Sequence, residues 1–163
     1  MKRVYLSLGS NLGDRVAHLR RAIAELDDAG IKVVQVTPFY RTEPVDYRPQ
    51  PWFVNCVAEV HTDLMPLRLL SALQKIERKL GRRRALPKGP RPVDLDILFY
   101  DNAVVRSAAL TIPHERLTER RFVLVPLCDI APNFRHPVTR RTVSEMLSET
   151  PDHSQVLLMT GGC

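Results

Sequence analysis

The chain has 163 residues, 44% of them hydrophobic and 26% charged, which suits one domain with a full core and excludes a disordered polar segment. Twenty-four Lys and Arg against 18 Asp and Glu give a net charge of +6, favouring an anionic partner: nucleic acid, an acidic membrane surface or a phosphorylated small molecule. No apolar run reaches 18 residues, the short N-terminal one is too brief for a signal segment, and three widely spaced cysteines read as reduced thiols, so a cytoplasmic protein is expected.

Residues 4–8 read as a strand, and the turn cluster GSNLGD at 9–14 hands over to a helix with Val16, Leu19, Ile23 and Leu26 at three- and four-residue spacing, closed by Gly30. A β-branched and aromatic strand over 33–41 follows, then an extended loop over 42–51 with three prolines. A third strand covers 53–62, with Val54, Cys56, Ala58 and Val60 on one face and Phe53, Asn55, Val57 and Glu59 on the other. Pro66 opens a second helix whose stripe is Leu67, Leu70, Leu73, Ile76 and Leu80, ending at Gly81. Beyond a basic loop, 93–100 alternates as a strand, with Asp94 and Asp96 opposite Val93, Leu95, Ile97 and Phe99.

The order β-α-β-β-α-β is the ferredoxin-like signature, an antiparallel sheet with helices on one face and the other face open for a site. Residues 101–163 read as a helical extension, partly helical over 114–127, with a short helix over 143–147 and an edge strand over 155–159. No repeat or linker divides the chain, and a single domain over 1–163 is expected.

Two aspartates on one strand face need cations or water beside them. Between Lys75 and Arg91 stand eight basic residues, Lys75, Arg78, Lys79, Arg82, Arg83, Arg84, Lys88 and Arg91, against the single acid Glu77. Such density is either a basic helix end favoured by the macrodipole or a clamp for several phosphates. Next to Asp94 and Asp96 the clamp reading gains weight, since Mg²⁺ is held by one or two carboxylates plus phosphate oxygens. An Asp-x-Asp alone is a solvated pair or a partner for arginine. Glu77 falls inside the apolar sector of the second helix and needs a partner there, for which a loop arginine is the plain explanation, and Gln74 points to the same neighbourhood. Phe53 and Asn55 suit a flat heterocycle, one stacking and the other reading its edge, although a lone aromatic on a strand is usually packing. His114, with Arg116, Arg120 and Arg121, extends the clamp.

Together these segments resemble the 6-hydroxymethyl-7,8-dihydropterin pyrophosphokinase family, which transfers diphosphate from ATP to a pterin alcohol in folate biosynthesis. The resemblance runs nearly end to end, through LGSNLG at 8–13, FYRTEP at 39–44, FVN at 53–55, QKIE at 74–77, GRRR at 81–84, GPRPVDLD at 89–96, Pro113-His114 and RRF at 120–122. It implies that Asp94 and Asp96 hold two Mg²⁺ ions bridging the ATP phosphates, that Arg82 and Arg91 neutralise charge during transfer, and that Gln74, Glu77, Arg84, His114 and Arg120 line the ATP site, with Ile97 and Thr111 contributing through backbone. For the pterin it implies Thr42, Pro44 and Val45 as loop contacts, Asn55 on the polar edge, and Phe53 and Phe122 on the ring faces, with Asp94 nearby.

The sequence departs from the family pattern at Pro87-Lys88, Ala109 and Glu115, which touches the nucleotide side and leaves the metal seat intact, and at Phe53, which keeps the stacking plane and loses only a hydroxyl. The loops 42–51 and 82–92 are expected to close over the substrates. The expected partners are ATP and a pterin alcohol, with no nucleic acid and no membrane, acting on a monomer. Two rivals are a ferredoxin-like RNA-binding module, against which stands the lack of an aromatic-rich strand, and a γ-phosphoryl kinase releasing ADP.

Overall fold

The computed structural model describes residues 1–45, 49–81 and 91–160. Strand β1 (Lys2–Ser10) leads through the glycine-flanked turn into α1 (Arg15–Asp28), whose first turn is capped by the Asp14 carboxylate accepting the Ala17 N–H at 3.1 Å. The single strand expected over 33–41 is two, β2 (Lys32–Val36) and β3 (Tyr40–Thr42). Pro38 has no N–H for a ladder, and Thr37 instead bonds Val57 twice, its N–H donating at 2.9 Å and its Oγ1 accepting the Val57 N–H at 3.0 Å. Strand β4 (Phe53–Thr62) and helix α2 (Pro66–Lys79) fall where the sequence puts them. On α2, however, the stripe turns by one position: Leu69 is buried with Leu73 and Ile76, and Leu67 is exposed.

Strand β5 (Asp94–Tyr100) is followed by a hairpin that the sequence reading does not contain, β6 (Val105–Arg106) with β7 (Thr111–Ile112). A 3₁₀ turn (Leu117–Glu119), α3 (Arg121–Ile130), α4 (Val143–Glu149) and β8 (Val156–Leu158) complete the chain. The fold is α+β, with every strand pair antiparallel. In the large sheet the order is β5-β1-β4-β3-β8, with β2 also on β4. No helix among the described residues is long and apolar enough to cross a membrane.

Alternation along β1 assigns the two faces. Val4, Leu6 and Leu8 pack with Leu19, Ala22 and Leu26 of α1 and Leu69, Leu73 and Ile76 of α2. Tyr5 points the other way, into a second core with Val57, Leu98, Phe99, Val123, Leu124 and Leu127 of α3, and Val143 and Met146 of α4. The expectation of helices on one face is thus corrected: α1 and α2 cover one face, and α3 and α4 cover part of the other, leaving the rest of it for a site. Phe99 is corrected too. Tyr5 pairs with Phe99 and Leu6 with Ile97, so Leu98 is an extra residue in β5, and the bulge turns Phe99 to the face opposite Leu95 and Ile97.

Candidate active site

Where α3 and α4 stop, rows of residues cross the sheet. Asn55 of β4 faces Gly9 of β1, which faces Asp94 of β5; in the next row Val57, Ser7 and Asp96 are aligned. Period two puts Asn55, Gly9, Ser7 and both aspartates on one face, as the sequence parity requires. Gly9 is there for space: a Cβ on it would collide with the Asn55 Oδ1 and meet the Phe53 ring at 3.6 Å. Beneath that opening the buried Asn55 amide donates to Thr42 Oγ1 at 2.5 Å, tying β4 to β3.

The face opens into a cavity of about 180 Å³. Of the residues expected at a site, Thr42, Pro44, Val45, Phe53, Asn55, Arg91, Asp94, Asp96, His114, Arg120 and Phe122 all line it. Ser7, Gly9, Glu43 and Gln50 line it as well and escaped the sequence reading. For Gly9 the signal was present, a glycine at the end of a strand where something must approach closely. A larger groove of about 600 Å³ between α1 and α2 takes Lys75, Arg78 and Lys79 of the expected basic clamp, away from this cavity, and none of the residues expected to hold ATP, pterin or metal. Arg82 and Arg84 lie outside the described residues, as do 46–48 and most of the basic loop.

Charges in the cavity alternate with rings. Arg91 Nε stands 3.4 Å from Asp94 Oδ2, with its guanidinium 5.2 Å from the Phe53 ring centroid. Across the cavity Arg120 lies 5.6 Å from the Phe122 centroid. The His114 pKa is lowered to about 4, chiefly by burial, then by the Arg120 cation, with Asp94 opposing. At neutral pH the ring is therefore uncharged. Its Nδ1 accepts the Arg116 N–H at 3.2 Å, so the proton sits on Nε2, ready to donate.

Asn11 is a second residue that the sequence treats only as part of a turn. Its Oδ1 accepts the Arg91 N–H at 2.9 Å and its own N–H donates to the Arg91 carbonyl at 3.2 Å, while its Nδ2 reaches Gln50 Oε1 at 2.8 Å and the Pro51 carbonyl at 3.3 Å. One buried amide thus fixes the approach to β5 and the end of the proline loop.

Gln74, Glu77, Ile97 and Thr111 do not line the cavity. Glu77 instead reaches the outer edge of β5, which is the last strand of its sheet. Here Glu77 places Oε2 2.7 Å from the Leu95 N–H, between the two aspartates, while Arg82, Arg83 and Arg84, its expected loop partners, lie outside the described residues. Farther along, the His114 N–H donates to the Leu98 carbonyl at 3.1 Å. Ile97 shares parity with Leu95, so its backbone polar groups point outward between these two contacts. Gln74 is exposed on α2.

Residues 5–132 match the model of the family described as 7,8-dihydro-6-hydroxymethylpterin-pyrophosphokinase (HPPK). The chain belongs to this family. It is 38% identical over 159 residues to the 2-amino-4-hydroxy-6-hydroxymethyldihydropteridine pyrophosphokinase of Haemophilus influenzae, covering 97% of this chain and 99% of that protein. It is 45% identical over 150 residues to the folic acid synthesis protein fol1 of Pneumocystis carinii, covering 92% of this chain but only 20% of that much longer protein. Wild-type HPPK-DHPS of Plasmodium falciparum shares the fold, with a TM-score of 0.72 at 16% identity over 90% of this chain and 43% of that one.

Proposed function

We propose that the chain transfers the diphosphate of ATP to the hydroxymethyl group of 6-hydroxymethyl-7,8-dihydropterin, releasing AMP and forming the pterin diphosphate of folate biosynthesis. The observation that carries this reading is the convergence, in one cavity of a pyrophosphokinase-family chain, of an aspartate pair and two arginines with Phe53, Asn55 and Phe122. The first set suits a metal-bound polyphosphate, the second a planar heterocycle with a polar edge.

Asp94 and Asp96 fit Mg²⁺. Among the described residues no group of three or more His, Cys, Asp or Glu side chains could cage a metal, and a strand face with two carboxylates leaves most of an octahedron to phosphate oxygens and water. Bound there, two ions would supply charge neutralisation on the phosphates. The protein's own groups do the rest. Arg91 and Arg120 bring fixed positive charge, and the His114 Nε2–H gives a neutral donor for a phosphate oxygen. Asn55, held by Thr42, reads the pterin edge between Phe53 and Phe122, with Thr42, Pro44 and Val45 as the loop wall. The nucleotide base lies along the outer edge of β5, against the Ile97 backbone, Gln74, Glu77 and Thr111, and Arg82 and Arg84 complete the phosphate clamp.

In the transfer the pterin hydroxymethyl oxygen bonds to the β-phosphorus and loses its proton, the bond from that phosphorus to the oxygen of the α-phosphate breaks, and AMP departs. Catalysis is then mainly positioning. We place this activity in one domain with a ferredoxin-like βαββαβ core, working as a cytoplasmic monomer on small molecules. The free thiols Cys56 and Cys128, with Cys56 pushed up to about 12 by burial, suit a reducing compartment. The test is to incubate the protein with ATP, Mg²⁺ and the pterin alcohol and separate the nucleotides. AMP in step with pterin diphosphate is expected; ADP would point to a γ-phosphoryl kinase and overturn the reading.

A further inference from the structure

Residues 150–158 lie beyond the segment matched by the family model, yet they hold both walls of the cavity. The Thr150 hydroxyl donates to the Thr118 carbonyl at 2.8 Å, fixing the segment to the turn before α3. Two residues on, Asp152 Oδ2 accepts the Arg121 N–H at 2.8 Å, while its Oδ1 takes the Ser154 N–H at 2.9 Å and the Ser154 hydroxyl. Arg121 answers by donating Nη1 to the Ser154 carbonyl at 3.1 Å. The N-cap position of α3 is Arg120, which makes no side-chain cap, so a carboxylate from a distant segment fills that role and adds negative charge at the positive end of the helix. On either side of Arg121 stand Arg120 and Phe122, which line the cavity.

The next residue grips the opposite wall. The Gln155 N–H donates to Glu43 Oε1 at 2.8 Å and its carbonyl accepts the Glu43 N–H at 3.2 Å. From there β8 runs along β3, pairing Val156 with Thr42. Within four residues of chain, 152–155, the walls carrying Phe122 and Thr42 are tied together. Burial pushes the Asp152 carboxyl up, and its hydrogen bonds from Ser154 and Arg121 outweigh this and hold it below its ordinary value, so it is an anion at neutral pH.

We propose that residues 150–158 form a strap that sets the width of the pterin cavity, with Asp152 as a positioning residue for Phe122 and Arg120 and the Glu43–Gln155 pair as the second anchor. The strap rests on the pterin reading, since width matters only to a ligand held between these walls. Its effect appears in substrate affinity: a helix start that shifts when the cap is lost carries Phe122 with it, whereas a purely structural residue changes the folded fraction and leaves KM alone.

The experiment compares wild type with Asp152→Ala, Asp152→Asn and Ser154→Ala, reading kcat and KM for each substrate and, separately from turnover, pterin binding through Trp52, the only tryptophan of the chain. Asp152→Ala is expected to raise the pterin KM and Kd on the order of tenfold, the weight of one charge-assisted hydrogen bond, with a smaller change in kcat. Asp152→Asn, which keeps an oxygen for the Arg121 N–H, recovers most of the loss. A wild-type pterin KM and Kd in Asp152→Ala overturns the strap, whatever happens to melting temperature. Should that variant fail to fold, wild-type pterin KM and Kd in Ser154→Ala, which removes the hydroxyl bracing the Asp152 carboxylate, overturn it equally. A wild-type protein that neither binds pterin nor releases AMP instead sinks the functional reading, and the strap with it.

Discussion

Gly9 shows how one missing carbon shapes a site. It stands in the sheet between Asn55 and Asp94, and the space its side chain leaves is where the Asn55 amide and the Phe53 ring edge lie. A methyl group there must displace the Asn55 amide, which is anchored to Thr42 and has little room to move. Gly9→Ala is therefore expected to fold, because a strand tolerates alanine, while kcat/KM for the pterin falls by about two orders of magnitude, the usual consequence of a displacement near 1 Å at a positioned group. Steady-state kinetics beside a thermal melt checks this, and near-normal kinetics would show that Asn55 does not read the ligand. The pairing of Asn55 with the aspartates was legible from sequence because period two is strict in a regular strand. Gly9 carried its signal, a glycine at the end of a strand, but the adjoining turn explains that glycine equally well.

Elements explain which parts of the pattern failed. Parity along β5 holds through Ile97 and breaks at Leu98, where no glycine or proline marks the bulge, so Phe99 reads as core on the wrong side. The break between β2 and β3 had a visible sign in Pro38. The turn between β1 and α1 looks structural, and only the folded chain reveals that Asn11 spends its amide on Arg91, Gln50 and Pro51. Replacing Asn11 by alanine removes an acceptor from the Arg91 N–H in a part-buried setting, a loss of about 1–3 kcal/mol in stability. It also loosens the Arg91–Asp94 pair at 3.4 Å, because the Asn11 side chain no longer helps its own backbone N–H to hold the Arg91 backbone. We expect Asn11→Ala to weaken both substrates, roughly tenfold each, whereas a change confined to stability in denaturant melts, with unaltered kinetic constants, would reduce Asn11 to a fold residue.

At the scale of the whole molecule the sheet has a core on each side, and the two cores share their strands: β1 presents Leu6 and Leu8 to α1 and α2 and Tyr5 to α3 and α4, and β4 does the same with Cys56 and Val57. The sequence contained a hint, since Val57 and Tyr5 are poor residues for a solvated sheet face, but α3 and α4 are too short and too sparsely patterned to announce what they cover. Shared strands have a thermodynamic consequence. Undocking α3 and α4 would bare Tyr5, Val57, Leu98 and Phe99 together on a sheet whose other face is still packed, so neither layer gains by leaving first. Leu73, in the first core, and Leu124, in the second, are both essentially inaccessible to solvent. Each Leu→Ala change should cost about 2–5 kcal/mol by leaving a cavity in its own core. The expected outcome is one transition, moved to lower denaturant in both variants, with Trp52 fluorescence and far-UV circular dichroism coincident. If the helices from residue 121 onward instead formed an independent unit, Leu124→Ala would split the curve: the circular dichroism would lose an early step while the Trp52 signal, next to Phe53 at the start of β4, kept its wild-type midpoint, and the single-domain proposal would fail.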